Sequence, residues 1–248
     1  MGFSEQYMKK QRKMNNYEEI EAKLGIVFKD KTLLDTALTH RSYLNEHREA
    51  SLQNNERIEF LGDAVLELII STYLFKTYPE KSEGELTNIR AAVVRTESLA
   101  EESRNLGLGE HLRMSKGEKE SGGRDKDYLL ANTFEAILGA IYQDQGLDVC
   151  REYIERTLLK KVSRIVENNL FIDPKTQAQE IIQAKFKVTP IYEVVKQEGP
   201  DHDKIFTVGL KINNKQIAVG TGSSKQKAEE EAAKATVELL NNQGKSLN

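Results

Sequence analysis

The sequence predicts two domains, an all-α domain followed by a smaller α+β domain with the element order α-β-β-β-α. Between residues 17 and 167, apolar residues recur three and four positions apart, which is the period of an α-helix. Beyond residues 168–169, short runs alternate apolar and polar residues, as strands with one covered face do. The chain has 248 residues, which is enough for two domains of this kind.

The helical domain is predicted to span residues 16–168, after a polar N-terminal tail at residues 1–15. Breaker sequences separate its helical segments, namely Tyr78-Pro79, Gly107-Leu108-Gly109 and Ser121-Gly122-Gly123. The apolar period predicts helices over residues 32–44, 55–78, 84–107, 127–146 and 151–169.

The α+β domain is predicted to span residues 173–242, with a frayed tail at residues 243–248. Its first helix, 173–186, has Asp173 as the N-cap and Pro174 at the first helical position. The last helix is predicted from an Ala-rich segment that favours helix formation. The three strands and this helix are expected at residues 190–197, 204–212, 215–222 and 223–242.

Composition narrows the class of protein without identifying it. No run of 18 or more apolar residues occurs, so we expect no membrane-spanning helix and no membrane partner. The only cysteine is Cys150, so no intrachain disulfide is expected, and a cytoplasmic location is the prediction. His40 and His47 have no metal-ligand spacing and are expected to be structural or surface groups. The net charge of −3 neither indicates a nucleic-acid-binding protein nor excludes a local basic patch.

The stretch NERIEFLGDAVLEL, residues 55–68, places four acids in a segment that is otherwise suited to burial. Glu56, Glu59, Asp63 and Glu67 stand at positions i, i+3, i+7 and i+11, and the first three share about one helix face. None of them has Lys or Arg at i+4, as a salt-bridged surface helix usually has. Gly62 costs a helix interior about 1 kcal/mol relative to Ala, so it indicates the close approach of another backbone.

Two interpretations of these acids remain open, a solvated helix face and a metal site. Uncompensated carboxylates stay ionised together only if a cation screens them, and their hard oxygen atoms suit Mg²⁺, which also bridges to phosphate. The corresponding chemistry is phosphodiester hydrolysis by a metal-activated water. LLANTFEAILGA offers the second half of such a site, because Asn132 and Glu135 lie three positions apart on another apolar helix.

These segments resemble the ribonuclease III family. NERIEFLGDAVLEL is similar to the family signature, which is usually written around ERLEFLGDAVL. The C-terminal α-β-β-β-α segment resembles a double-stranded-RNA-binding domain, and the resemblance as a whole covers about residues 17–242. Other blocks of the family are similar to LGIVFKDKTLLDTALTHRSY (24–43), GELTNIRAAVV (84–94) and SKGEKESGGRDKDYLLANTFEAILGAIYQDQG (115–146).

The resemblance implies a homodimeric, Mg²⁺-dependent endonuclease, with Mn²⁺ as a candidate substitute. It implies cleavage of double-stranded RNA to 5′-phosphates with short 3′ overhangs, in ribosomal RNA precursors and structured mRNAs. By the same resemblance, Glu59, Asn132 and Glu135 match metal-ligand positions, and Asp63 matches the acid that acts with Glu135 in the catalytic step. Glu56 matches an acid at the rim of the cleft or in the dimer contact.

Asn132 is a departure from the family pattern, which has Asp-x-x-Glu where this chain has Asn-x-x-Glu. Asn keeps a carbonyl oxygen that reaches a metal but lacks one negative charge, which weakens Mg²⁺ binding. Three outcomes are open: retained cleavage, which we favour, a slower or more metal-demanding enzyme, and a double-stranded-RNA-binding protein with an impaired nuclease site. A structural component of a larger particle is remoter, since such a protein has no reason to keep Glu59, Asp63 and Glu135.

The RNA-binding residues are expected in three places of the α+β domain, because A-form RNA is recognised by its shape, its 2′-hydroxyls and its phosphates. Gln179 and Gln183 lie one turn apart on the first helix and suit 2′-hydroxyls. His202 stands in the GPDHDK loop between the first two strands. Lys225 and Lys227 open the last helix, where backbone N–H groups also favour phosphate.

Overall fold

The computed structural model describes residues 17–47, 53–200 and 204–245. The chain divides into two compact units at the boundary between Phe171 and Ile172. The predicted fold class is confirmed, since the first unit is helical and the second is a three-stranded sheet flanked by helices. The predicted tail at residues 1–15 lies outside the described residues, and the backbone at 243–245 is helical.

The helices of the first unit follow the predicted order, but three of the long predicted helices are divided. The segment 32–44 forms α2 and α3, 84–107 forms α5 and α6, and 151–169 lies in α10 and α11. The described helices are α1 (17–24), α2 (Lys31–Ala37), α3 (Arg41–Glu46), α4 (Glu56–Thr77), α5 (Glu83–Val94), α6 (Thr96–Asn105), α7 (Leu108–His111), α8 (Lys116–Glu120), α9 (Asp127–Gln145), α10 (Leu147–Thr157) and α11 (Val162–Glu167).

The break between α2 and α3 comes from pairing with a distant segment. Thr39 and Arg113 form an isolated parallel bridge. The His40 N–H donates to the Arg113 carbonyl at 2.9 Å, and the Arg113 N–H donates to the Leu38 carbonyl at 2.8 Å. The Asn55 N–H donates to the Thr39 carbonyl at 2.9 Å. His40 is therefore extended, and the break lies beside the start of α4.

Helices α4 and α9 cross at the centre of the first unit, where two glycines let their backbones touch. A Cβ on Gly62 would lie 1.8 Å from the Glu135 carbonyl oxygen, and a Cβ on Gly139 would lie 2.1 Å from the Ile58 carbonyl oxygen. The close approach predicted at Gly62 is thus confirmed. Large apolar side chains complete the buried contact, among them Leu66, Ile70, Leu74, Phe134, Ile137 and Ile141.

The second unit has the predicted element order and an antiparallel sheet in the order β1-β2-β3. Asp173 caps the first helix by accepting from the Thr176 N–H at 2.8 Å, and Pro174 stands at its start. Apolar residues of both helices and of β2 share one core, including Ile182, Leu210 and Val237. The elements are α12 (Pro174–Phe186), β1 (Ile191–Glu198), β2 (Ile205–Ile212), β3 (Lys215–Gly222) and α13 (Lys225–Lys245).

Within the described ranges, none of the helices has the length and apolar character that crossing a membrane requires.

Candidate active site

The crossing of α4 and α9 brings together four of the predicted site residues. Glu59 and Asp63 lie about one turn apart on α4, and Asn132 and Glu135 lie about one turn apart on α9. Glu59, Asn132 and Glu135 are half-buried, whereas Asp63 is exposed. Because Gly62 sits directly against the backbone of Glu135, the acids of the two helices face one another at short range.

Glu135 is the acid whose protonation is most altered. Burial, followed by the nearby charges of Asp63 and Glu59, raises the pKa of Glu135 to about 8. In the part of the chain that the structure describes, no Lys, Arg or His forms an ion pair with any of these three acids. Like charges gathered without a cation are unfavourable in a folded protein and are typical of functional sites.

Asn132 influences the protonation of Glu59. Burial and the charge of Glu56 raise the pKa of Glu59, Asp63 adds to the rise, and a hydrogen bond with the Asn132 side chain opposes it. A carboxylate only accepts, so the Asn132 amide N–H is the donor. The carbonyl oxygen of Asn132 is left for another partner, and an Asp at this position would repel Glu59 instead of binding it.

The candidate metal donors at this crossing are two carboxylates and one carboxamide, all with hard oxygen atoms. Among residues 17–47, 53–200 and 204–245, no group of three or more His, Cys, Asp and Glu side chains is arranged to hold a metal ion. Asn132 supplies the third oxygen instead of a third acid. This set fits a hard divalent cation that keeps several water ligands and takes others from a substrate phosphate.

Glu56 and Glu67 are the other two acids of the stripe on α4. Glu56 is exposed, and its Oε1 lies 3.6 Å from Arg41 Nη1. The Asn54 side-chain amide also donates to Glu56 Oε2 at 3.1 Å. Arg41 belongs to α3, so a search for partners at i+4 within α4 misses this ion pair. Glu67 is exposed, one turn beyond Asp63, and its position assigns it no role.

A cavity of about 570 Å³ opens beside Glu59 and Asn132. Its walls also include His40, Glu118 and Tyr128, none of which is predicted from the sequence as a site residue. The only signal for them was that His40 falls within the segment 24–43 and the other two within 115–146, both of which resemble family blocks. Nothing in the apolar period distinguished these three residues from their neighbours.

The predicted RNA contacts of the second unit are exposed on α12 and at the start of α13. Gln179 and Gln183 are exposed on α12, and Gln183 donates to Thr189 Oγ1 at 3.5 Å. Lys225 and Lys227 are exposed in the first turn of α13 and have no salt bridge to any described residue. His202, the remaining predicted contact, lies outside the described residues.

The acidic run that follows these lysines is largely neutralised. Glu229 Oε2 lies 2.6 Å from Lys175 Nζ on α12. Glu231 Oε1 lies 2.6 Å from Lys234 Nζ on the same helix. The start of α13 therefore keeps a local positive charge, although the sequence places acids beside it.

Comparison with known proteins shows what this chain is similar to. A family model described as Ribonuclease-III-like matches residues 30–162, and one described as a double-stranded RNA binding motif matches residues 174–240. The chain is 46% identical over 224 residues to the Ribonuclease 3 of Lactococcus lactis subsp. cremoris strain SK11, covering 90% of this chain and 96% of that protein. It is 48% identical over 218 residues to the Ribonuclease 3 of Streptococcus mutans, covering 87% and 93%.

Solved structures agree with these matches. The nuclease domain of ribonuclease III from Campylobacter jejuni aligns with a TM-score of 0.54 and 41% identity, over 58% of this chain and 96% of that chain. A second structure of that domain gives a TM-score of 0.53 and 41% identity, over 58% and 94%. The chain therefore belongs to the ribonuclease III family, and it is an endoribonuclease with a double-stranded RNA binding motif.

Proposed function

We propose that this chain cuts double-stranded RNA by Mg²⁺-dependent hydrolysis and leaves 5′-phosphates with short 3′ overhangs. The observation that carries the proposal is the group formed by Glu59, Asn132 and Glu135, with Asp63 beside it. Burial and neighbouring acids raise the pKa of Glu59 and of Glu135, and Glu59, Asp63 and Glu135 have no cationic partner among the described residues. Membership of the ribonuclease III family and the RNA binding motif support the same activity.

The position of each site residue suggests its role in metal binding or hydrolysis. Glu59, Glu135 and the carbonyl oxygen of Asn132 are the ligands that would hold the ion. When bound, Mg²⁺ supplies a water of lowered pKa and offsets the charge of the phosphate. The pKa of Glu135 is about 8 in the metal-free protein, and a bound cation would lower it and keep the carboxylate ionised. Asp63 is exposed beside it and orients the attacking water by accepting its hydrogen bond.

Asn132 provides the first test of this function. We expect the unaltered chain to cut a long RNA duplex with Mg²⁺, and Asn132→Asp to lower the Mg²⁺ concentration for half-maximal rate about tenfold, because it adds a charge beside the ion. Initial rates over a Mg²⁺ series, repeated with Mn²⁺, measure this. The ends of the products are read from labelled strands.

The same series distinguishes the alternative function. A chain that binds the duplex but cuts it at no Mg²⁺ or Mn²⁺ concentration, while Asn132→Asp cuts, would be a double-stranded-RNA-binding protein with an impaired nuclease site. Equal Mg²⁺ dependence of the two proteins would remove Asn132 from the set of ligands.

Lys225 is proposed as a phosphate contact, together with Lys227, while Gln179 and Gln183 face 2′-hydroxyls. We expect Lys225→Ala to weaken binding to all duplex sequences and to reduce the slope of log K against log salt concentration by about one. Lys234→Ala is the matched control, because Lys234 lies on the same helix and is paired with Glu231. A salt slope that Lys225→Ala leaves unchanged excludes the contact.

The exposed apolar side of α4 supports a homodimer. Phe60, Leu68 and Phe75 are 78%, 54% and 74% exposed, and their spacing of eight and seven residues places them on one side of the helix. Large apolar side chains exposed in this way mark an interaction surface. Glu56 stands at the edge of this helix, so it contacts either RNA or the second copy. Sedimentation of the purified protein measures the mass, and a monomer at micromolar concentration contradicts the proposal.

The proposal for the biological substrates rests on family membership and not on any single residue. We propose ribosomal RNA precursors and structured mRNAs, processed in the cytoplasm. Sequencing RNA from cells with and without this protein tests the proposal, since uncut precursors should accumulate only in its absence.

A further inference from the structure

The imidazole of His40 has its proton fixed on one nitrogen. Nδ1 lies 2.8 Å from Ser42 Oγ and 3.3 Å from the Ser42 backbone nitrogen. The backbone N–H can only donate, so Nδ1 is the acceptor. Ser42 Oγ accepts from the Ser115 N–H at 3.0 Å, which leaves its own proton for Nδ1. A neutral ring held in this way carries its proton on Nε2.

The ring is also held in place and remains uncharged. The bond to the Arg113 carbonyl fixes the backbone of His40, and Thr39 is bonded to Asn55 at the start of α4, four residues before Glu59. Burial lowers the pKa of His40, and the charge of Glu118 opposes this. The Nε2–H has no acceptor among the described residues. His40 therefore presents an unused, oriented hydrogen-bond donor.

The part of the cavity beside His40 suits a neutral hydroxyl group of a ligand. Glu56, Glu59 and Glu118 line it, and Arg41 is its only Lys or Arg among the described lining residues. Glu56 is paired with Arg41 and Glu118 with Lys126, so Glu59 is the acid of this lining that has no cationic partner among the described residues. A hydroxyl is suited to this environment, because it accepts from the Nε2–H and donates to a carboxylate. The volume of about 570 Å³ is large enough for part of a nucleotide.

We propose that the His40 Nε2–H donates a hydrogen bond to the 2′-hydroxyl of a ribose close to the bond that is cut. This inference rests on the proposed function and makes it more specific. It gives His40 a specificity-determining role, whereas the sequence predicts a structural or surface group. The 2′-hydroxyl is the group that distinguishes RNA from DNA, so the site itself would select RNA at that nucleotide, in addition to the RNA binding motif.

A double-mutant cycle between protein and RNA tests the contact. His40→Asn keeps a residue that caps helices well but is too short to reach the hydroxyl. The substrates are an all-ribose duplex with a mapped cleavage site, and duplexes with one 2′-deoxynucleotide at each position around that site. We expect His40→Asn to lower kcat/KM on the all-ribose duplex about tenfold, and to cause no further loss at one particular deoxy position.

Two further variants, a matched control and a milder substitution, complete the test of the His40 contact. His47→Asn is the matched control, because that ring stacks on Tyr43, is exposed and lies outside the cavity. Ser42→Ala leaves His40 in place but removes one of the two donors to Nδ1, so it should give a smaller loss at the same nucleotide. It also serves if His40→Asn proves too unstable, which its thermal unfolding midpoint will show.

Two results overturn the inference, and they are distinguishable. If the losses from His40→Asn and from the deoxy substitution multiply at every position, the contact does not exist, although the proposed function stands. If the unaltered chain fails to cut the all-ribose duplex, the proposed function fails and the inference fails with it.

Discussion

Replacing Glu135 by Gln is expected to lower the rate of RNA cleavage by on the order of 10²–10³-fold while leaving duplex binding intact. Gln keeps the size of the side chain and one carbonyl oxygen but removes the charge that Glu135 contributes to the proposed cation site. The contact with Gly62 is made by the backbone of Glu135, so the packing of α4 on α9 is preserved. Single-turnover cleavage and equilibrium binding measure the two effects separately.

Glu155→Gln is the matched control for this comparison. It makes the same chemical change at an exposed position on α10, a helix that carries none of the proposed site residues, and should change the rate by less than about twofold. Cleavage by Glu135→Gln that is as fast as cleavage by the unaltered chain would remove Glu135 from the catalytic group.

The same substitution should also flatten the pH dependence of stability in the metal-free protein. Between the ordinary pKa of 4.5 and the folded pKa of about 8, folded Glu135 keeps a proton that the unfolded chain has released. The stabilisation is therefore complete below about pH 4.5 and is lost as the pH rises through 8. Gln has no such proton. Denaturant unfolding of both proteins over this range, with a chelator present, measures the difference, and parallel profiles would contradict it.

The sequence was informative where the signal was local. The 3.6-residue period predicts α4 and α9 almost to their ends, and Asp173-Pro174 predicts the start of α12. Both predictions succeed because the residues that form a helix face or a cap are close together in the sequence. It failed at the break between α2 and α3. That break is caused by backbone hydrogen bonds to Arg113, which is distant in the sequence. The period of apolar residues contains no information about such a distant partner.

At the candidate site, too, local patterns are visible in the sequence and contacts between separate helices are not. Glu59, Asp63 and Glu135 were found because acids at helical spacing on apolar helices are unusual. The effect of Asn132 on the pKa of Glu59, the pairing of Arg41 with Glu56 and the donor on His40 depend on how separate helices meet. The acids of the candidate site are therefore proposed from the sequence, while their contacts required the fold.

Gly62→Ala is expected to destabilise the protein by about 3 kcal/mol or more. The new Cβ would lie 1.8 Å from the carbonyl oxygen of Glu135, and a backbone atom in a helix cannot move aside as the end of a flexible side chain does. Helices α4 and α9 must therefore separate, which also moves Glu135 away from Glu59. Since a displacement of about 1 Å at a catalytic group costs on the order of 10²-fold in rate, cleavage should fall with stability. Denaturant unfolding and single-turnover cleavage measure both.

Gly84→Ala is the matched control for Gly62→Ala, and we expect it to change the stability in the opposite direction. Gly84 also lies within a helix, α5, but a Cβ there meets nothing within 4 Å. Ala favours a helix by about 1 kcal/mol over Gly, so this variant should be more stable than the unaltered chain and should cut RNA normally. Opposite signs for one chemical change at two helical glycines would separate helix propensity from backbone contact. Stabilisation at both positions would mean that α4 and α9 do not cross at Gly62, and the acids of the proposed site would then have no reason to face each other.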